Sequence, residues 1–502
     1  MRIKKFSKRI LQFMQSPKCF WAIVTAFVIE SLWIAVSSSY PMAFDEDFHL
    51  GIIRLYAKQW SPFFAHQPAN GDAFGSLTSD PSYMYHYLMS FPYRLTTLIT
   101  HSQTAQIITL RCIDVALVAC SLIIFRKLLL KATVPTGITN TVLLFFILVP
   151  VLPLLAGQIN YDDMLLPLAA YAILCCLELR EQFENGYMPI GLLLKLFAVC
   201  MFTSLVQYEF LPIFAAITFY VIYGTWKYRK QEDTKEHKLR VGWQLAKGLY
   251  KFSAVFFFLI AFSLFGQRYG TNLMAYKSPI PQCNQVLTIA QCSAYSPWLR
   301  NYTDSLQKTS VNTNPIHFAI DWARGMFEHT FYVSSGGGSK YAYYAHAGPL
   351  PVIAITAIIV FSAGIVLLLA NLLRKNSILK EHKPFALLLY VAVFYCFVLW
   401  LWNYHDYLHL GAAVALNGRY LFPVLPIILA AIGLAYDSWL KQRIEAKALL
   451  LSGVFLLFLQ GGGALTYIAV SNTNWYWNDT IPKDMNAAAQ VVVKPLTIPK
   501  PH

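Results

Sequence analysis

Apolar runs of about 20 residues, divided by short polar segments, recur along the chain, and that length lets an α-helix cross the hydrocarbon core of a bilayer. The pattern predicts eleven spans, near 19–40, 104–125, 136–156, 160–178, 188–205, 208–225, 249–266, 349–371, 384–402, 420–437 and 448–470. The fifth and sixth form one long apolar stretch that turns at "SLVQYEFLP", where Glu209 and Pro212 argue against a single straight helix. Two longer segments, 41–103 and 267–348, break the rhythm. In the first, the segments at 47–60 and 82–99 mix apolar, aromatic and charged positions and are too short to span, which predicts helices lying in the membrane interface. No internal repeat and no inverted pair of broken helices is visible. The chain divides into a basic N-terminus (1–18), a transmembrane domain (19–470) and a tail (471–502) whose Pro-rich end predicts loose order.

Composition agrees with a polytopic membrane protein. The chain is 57% hydrophobic and only 13% charged, whereas soluble domains carry about 25% charged residues. A formal charge of +15 raises the question of nucleic acid. The basic residues instead sit in short patches between apolar runs, with no aromatic-interleaved groove, which excludes nucleic acid as a partner class. With the N-terminus inside, 25 Lys and Arg fall on inner segments and 13 on outer ones, a bias that fixes the orientation. The start "MRIKKFSKRILQFMQSPKCFWAIVTAFVIE" is similar to a signal peptide's basic region, but its apolar run is too long and no small-residue cleavage site follows. It is read as an uncleaved first span.

With that orientation, outer loops that are distant in sequence deliver polar groups at one membrane depth. The first loop gives Asp45, Glu46, Asp47 and His49. "GQINYDDMLLP" gives Asn160, Tyr161, Asp162 and Asp163, and "QYE" gives Glu209. "NYHDYLHLGAAVALNGRYLFP" gives His405, Asp406, His409 and Arg419. Each has a structural alternative. Asp45 to Asp47, or Asp162 and Asp163, could be acidic helix starts. Glu209 could snorkel, Arg419 could anchor a helix end at headgroups, and the two histidines could be interfacial or share a helical face as metal ligands. Together they are the equipment for chemistry on a lipid-borne phosphate: an Arg to grip phosphate, a carboxylate to take a hydroxyl proton, and a second acid to position the acceptor or hold a divalent cation.

No Walker A motif and no H-E-x-x-H occurs. "SSGGGSK" (334–340) lacks the strand-to-helix setting of a nucleotide site and reads as a flexible loop, and "FLQGGGALTYI" (458–468) as a place of close helix packing. Seven of nine cysteines lie in or beside apolar segments. Cys283 and Cys292, nine positions apart in a long outer loop, are candidates for a disulfide in an oxidising compartment.

"DEDFH" (45–49), "DPSYMYHYL" (80–88), "NYD" (160–162) and "GRYLFPVLP" (418–426), in this order and all on the outer side, resemble the motifs of the GT-C glycosyltransferase superfamily. More narrowly, they resemble a family of bacterial multi-span proteins, predicted glycosyltransferases, with an Asp-Glu-x-x-His element in the first loop and a Gly-Arg-Tyr near the end. The segment 268–302, with its paired cysteines, looks like that family's large outer loop. The resemblance implies an all-α GT-C-like fold in the cytoplasmic membrane. It implies transfer of a sugar from a polyprenyl-phosphate donor to an exported or envelope acceptor (glycan, lipid or protein) on the outer face. Asp45, Glu46 and Asp162 become the candidate catalytic acids, with Asp45 and Asp162 as candidate ligands for a divalent cation such as Mg or Mn. His49, Asp163, Glu209, Tyr83 and Arg419 become candidate substrate contacts. The stretch around Tyr83 lacks the Pro-Pro often seen in that family.

The mechanism expected is a single inverting displacement, with Asp45 as first choice of base, Glu46 in support, Asp47 as a helix-start residue and Arg419 meeting the phosphate. Two rivals stand beside it. A transporter or lipid flippase would use charges near mid-membrane, for which Glu30, Arg111 and Asp114 are the candidates, although Arg111 and Asp114 at i,i+3 could pair with each other. A non-catalytic assembly factor for envelope polymers is the second.

Overall fold

A computed structural model describes residues 2–42, 44–230, 240–243, 248–308, 311–331, 351–374, 377–461, 475–477 and 480–493. The described chain is almost wholly helical. Its helices are α1 (Arg2–Met14), α2 (Pro17–Ser37), α3 (Glu46–Tyr56), α4 (Met84–Ile99), α5 (Gln103–Lys131), α6 (Thr136–Ile147), α7 (Val151–Ala156), α8 (Asp162–Glu184), α9 (Ile190–Val206), α10 (Leu211–Lys230) and α11 (Gly248–Phe265). Then come four short helices, α12 (Thr271–Tyr276), α13 (Cys283–Val286), α14 (Ile289–Cys292) and α15 (Ser296–Leu306). The series closes with α16 (Pro315–Phe331), α17 (Pro351–Leu372), α18 (Ile378–Glu381), α19 (Lys383–Leu410), α20 (Leu425–Leu440), α21 (Ile444–Gly461) and α22 (Thr480–Val493). One small parallel ribbon pairs β1 (Tyr187–Pro189) with β2 (Arg240–Gly242), in register Met188 to Val241.

Among the described residues, five helical stretches are long and apolar enough to cross a membrane: 17–37, 103–131, 208–227, 251–276 and 383–410. Shorter apolar helices, among them 136–147, 190–206 and 425–440, accompany them. Such helices are apolar around their circumference because protein covers one side and lipid the other. The start of α2 is set by Ser16, whose hydroxyl accepts from Cys19 N at 3.2 Å, with Pro17 in the first turn. Ser102 does the same for α5, accepting from Ala105 N at 3.3 Å. Helix α5 is the central post, packed along α2 and α8, while α8 runs along α9 and α9 along α11. Buried Phe27, Leu110, Val118, Leu122, Phe125 and Ile173 contribute to this core. Cys175, Cys176 and Cys200 are buried there as small apolar groups.

Four sequence expectations are modified. The run 136–156 is two helices, α6 and α7, because Pro150 and Pro153 deny it a continuous hydrogen-bond ladder. The segment 46–56 is a helix as expected, but Leu50, Ile52, Ile53 and Tyr56 are buried in protein. The tail is not loose where it is described. Trp475 is fully buried, Ser39 N donates to Trp475 O at 2.7 Å, and Trp477 Nε1 donates to Val36 O at 3.0 Å, so the tail is tied to the end of α2. Arg111 and Asp114 do not pair with each other. Asp114 Oδ2 accepts from the Tyr85 hydroxyl at 2.8 Å, and Arg111 is committed elsewhere. The glycine loop 334–340 lies outside the described residues.

Arg111 forms a bidentate ion pair with Glu46, the first residue of α3. Nε to Oε1 is 2.7 Å and Nη2 to Oε2 is 2.8 Å, with both side chains fully buried. Arg111 Nη1 also donates to Ser38 O at 2.6 Å and Ala35 O at 3.1 Å. Glu46 accepts further from Met42 N at 2.7 Å and Ile159 N at 3.2 Å. The cost of taking two charges out of water is met only when every remaining donor and acceptor is occupied, as here. The pair joins the end of α2, the start of α3, the flank of α5 and the loop before α8.

Glu46→Ala should therefore lower stability by about 3–5 kcal/mol, because it leaves a buried guanidinium without its counter-charge. The double variant Glu46→Leu, Arg111→Met should regain most of that loss. Thermal unfolding of the full chain in detergent reads both, and a single variant as stable as the wild type would refute the anchoring role.

Candidate functional site

Three segments meet at the helix ends fixed by this ion pair. The first is the turn Phe44–Asp45, in which both residues are left-handed, at φ 58° and 66°. A bulky non-glycine residue there is strained by about 1–3 kcal/mol, and such strain persists only where neighbours enforce it. Asn160 is one enforcer: its Nδ2 donates to Phe44 O at 3.0 Å, while its Oδ1 accepts from Asp162 N at 3.0 Å. One buried amide thus holds "DEDFH" and "NYDD" in register.

The third segment is the 3-10 turn Gly418–Leu421. Gly418 is needed for close approach, since a Cβ there would overlap Thr330 of α16. Asn417 Oδ1 accepts from Arg419 N at 3.1 Å and orients the turn. Arg419 is then enclosed, with its Cζ 5.5 Å from the Phe44 ring centre and 5.3 Å from that of Tyr420. Its Nη2 lies 3.7 Å from Asp45 Oδ2 and its Nε 3.6 Å from Asp162 Oδ2. Both separations exceed direct hydrogen bonds. Among the described residues, buried Nε and Nη1 of Arg419 and Oδ2 of Asp162 make no hydrogen bond. Asp45 is 69% exposed at the side chain while Asp162 is 6% exposed, so one acid sits at the rim and the other in the floor.

The remaining sequence candidates divide. Glu209, in the 3-10 turn Tyr208–Phe210, is near enough to Asp162 and Arg419 to feel both charges. Ser82 holds that turn, its hydroxyl accepting from Tyr208 N at 3.1 Å and donating to Gln207 Oε1 at 3.0 Å. Glu46 has its oxygens filled by Arg111, Met42 and Ile159 and anchors the loop instead of facing substrate. Asp163 is fully buried, and among the described residues both of its oxygens lack hydrogen bonds. Its strongest charged neighbour is Asp114 of α5, so it serves the interior more than the rim. Tyr83 belongs to a neighbouring cluster, its ring 4.8 Å below the guanidinium of Arg268. His405 and His409 stack at 4.3 Å at the exposed end of α19. Cys283 and Cys292 are joined by a disulfide.

Asp45 and Asp162 are the carboxylates suggested for a divalent cation. Arg419 is their common neighbour, and no group of three His, Cys, Asp or Glu side chains converges on a metal position among the described residues. The fit to a cation is poor, and no step is derived through one.

Two side chains were missed from sequence. Arg268 is 2% exposed, with Nη1 donating to Thr78 O and with buried Nε and Nη2 lacking hydrogen bonds among the described residues. It sits in a π-helical turn, a backbone irregularity frequent at functional sites that leaves no mark in composition. Asp80 nearby, stripped of solvent, has its carboxyl raised above the ordinary range despite a hydrogen bond from Ser82 N at 2.9 Å. The second is His86, whose Nε2 is 2.9 Å from His49 Nδ1. Burial pushes His86 down to about 3 and His49 well below its ordinary value. Both imidazoles are neutral at physiological pH.

Since both folded-state values lie below the ordinary 6.5, the stability this pair contributes is complete above about pH 6.5 and drains away as pH falls towards 3. The slope approaches about 1.4 kcal/mol per pH unit for each imidazole. The unfolding temperature of the wild type should fall from pH 7.5 to pH 5 more steeply than that of a His49→Gln, His86→Gln double variant. Parallel curves would refute the neutral pair.

No family model matches this chain and no curated protein matches it, so the functional reading rests on the chemistry of Arg419, Asp45 and Asp162.

Proposed function

We propose that the chain is a membrane glycosyltransferase of the GT-C type, with eleven spans and a cytoplasmic N-terminus, acting at the outer face of the cytoplasmic membrane. The donor is a polyprenyl-phosphate sugar, and the acceptor is a hydroxyl of an envelope glycan, lipid or protein. The carrying observation is Arg419. It is a buried guanidinium, flanked at 3.6–3.7 Å by carboxylates from two distant segments, with two nitrogens that make no hydrogen bond among the described residues. A buried cation with unused donors is poised for an anion, and a phosphate matches its fork.

In this reading the phosphate lies against Nε and Nη1 of Arg419. The acceptor hydroxyl attacks the anomeric carbon while its proton passes to Asp45, the acid open to water. The bond from the anomeric carbon to the phosphate oxygen breaks, its electron pair stays on polyprenyl phosphate, and Arg419 meets the developing charge. Attack opposite the leaving group inverts the anomeric centre. Asp162 holds the guanidinium from the floor. The transporter reading is weakened because two of its three mid-membrane charges are used structurally, Arg111 by Glu46 and Asp114 by Tyr85.

In proteoliposomes supplied with a polyprenyl-phosphate sugar and an envelope acceptor, Asp45→Asn should lower turnover by about 10²-fold or more. Asn tolerates the left-handed backbone of position 45, so the fold should survive. Arg419→Lys should also be poor, because a point charge does not replace the fork. Undiminished transfer by Asp45→Asn would overturn the assignment of the base. Movement of the lipid across the bilayer without sugar transfer would favour the transporter.

A further inference from the structure

His49 and His86 are fully enclosed, and their ring centres lie 5.2 Å apart at an interplanar angle of 18°. The hydrogen-bond chain through them has one consistent protonation. His86 Nδ1 lies 3.2 Å from Ser82 O, a carbonyl that can only accept, so His86 carries its proton on Nδ1. His86 Nε2 is then a lone pair, and His49 Nδ1, 2.9 Å away, must be the donor. That leaves Nε2 of His49 without a proton. In a five-membered ring the two nitrogens point in diverging directions, so Nε2 turns away from His86, and among the described residues no hydrogen bond occupies it. The surroundings of that ring are those of the site. Its backbone N–H donates to Asp45 O at 3.1 Å. Its ring centre lies 4.6 Å from that of Tyr161, the residue preceding Asp162. Arg419 is close enough to act on it electrostatically.

We propose that His86 is a positioning residue that fixes His49 in the Nδ1–H tautomer, so that Nε2 of His49 accepts a hydrogen bond from a sugar or acceptor hydroxyl held at the Arg419 site. This deepens the glycosyltransferase reading and rests on it for the identity of the partner. The chemistry restricts that partner. A neutral imidazole lone pair can only accept, so an ionised phosphate or carboxylate has nothing to offer it, whereas a hydroxyl does. The site is thereby divided: Arg419 takes the anionic end of the donor, and His49 takes a neutral hydroxyl. Ser82 closes the relay at its far end. The same residue bonds to the Gln207–Tyr208 turn that carries Glu209, which ties the tautomer to the geometry of the opposite wall.

The test uses the full chain in nanodiscs, labelled with ¹⁵N-histidine, the His49 signals being assigned by their loss in His49→Gln. In the wild type, Nδ1 of His49 should be protonated and Nε2 unprotonated, the reverse of the form favoured by imidazole in water. His86→Leu removes the acceptor, and His49 should move to the Nε2–H tautomer, with kcat for sugar transfer falling about 10²-fold and KM changing little. His86→Gln, whose carbonyl can accept from His49 Nδ1, should restore both the tautomer and most of kcat. An active wild type carrying Nε2–H on His49 would overturn the relay alone. So would a His86→Leu variant whose tautomer changes without loss of kcat. A wild type with the stated tautomer that transfers no sugar would overturn the glycosyltransferase reading and the hydroxyl partner with it. If His86→Leu does not fold, the wild-type spectrum and the His86→Gln variant still decide.

Discussion

The buried pair of Glu46 and Arg111 is the constraint on which the candidate site depends. An ion pair with no solvent access is tolerable only when geometry and partners are complete, and here six hydrogen bonds satisfy the two side chains. The same requirement that makes the pair expensive to assemble makes it specific. Any shift of α3 relative to α5 leaves a charge unpaired in a medium that cannot solvate it. The segment that follows α2 is therefore registered against the bundle by electrostatics, and hydrophobic burial of Leu50, Ile53 and Tyr56 follows along that register.

The candidate site inherits its shape from that register. Asp45 follows a strained Phe44, and both are held left-handed between the anchored Glu46 and the amide of Asn160. The strain is stored one residue from a pair strong enough to hold it. Arg419 arrives from the far end of the chain, on a turn whose glycine lets α16 press against it. Two neighbouring acids thereby have opposite duties: Glu46 gives up its lone pairs to make the scaffold, while Asp45 keeps its own exposed. A sequence shows these as one acidic cluster, because adjacency along the chain carries no information about which carboxylate turns inward at a helix start.

The histidines show the same economy of placement. An exposed imidazole is a pH sensor near neutrality. Enclosed and paired, His49 and His86 lose that role and gain directionality instead, since one backbone carbonyl at Ser82 dictates the proton position on both rings. Lipid-borne phosphate and neutral hydroxyls call for different recognition groups. Tyr161 neighbours both kinds of group, its ring centre 4.6 Å from that of His49 and its hydroxyl within electrostatic reach of Arg419.

Local patterns along the chain were enough to mark an all-helical membrane protein. Apolar runs, Pro and Ser caps and the distribution of Lys and Arg are local or additive properties, so α2, α5, α10 and α19 could be read from the chain, as could the helical 46–56 and 84–99 segments. Asp45, Asp162 and Arg419 were legible because charge at a membrane edge is costly wherever it occurs. The tertiary structure decided what no local rule contains: that Arg111 answers Glu46 and not Asp114, that Asp162 faces Arg419 while Asp163 faces inward, and that the tail returns to α2. It also brought His86 and Arg268 to the region. These outcomes depend on pairing between residues that are tens to hundreds of positions apart. There, each buried donor takes the acceptor that packing brings to it, and neighbours in sequence have no priority.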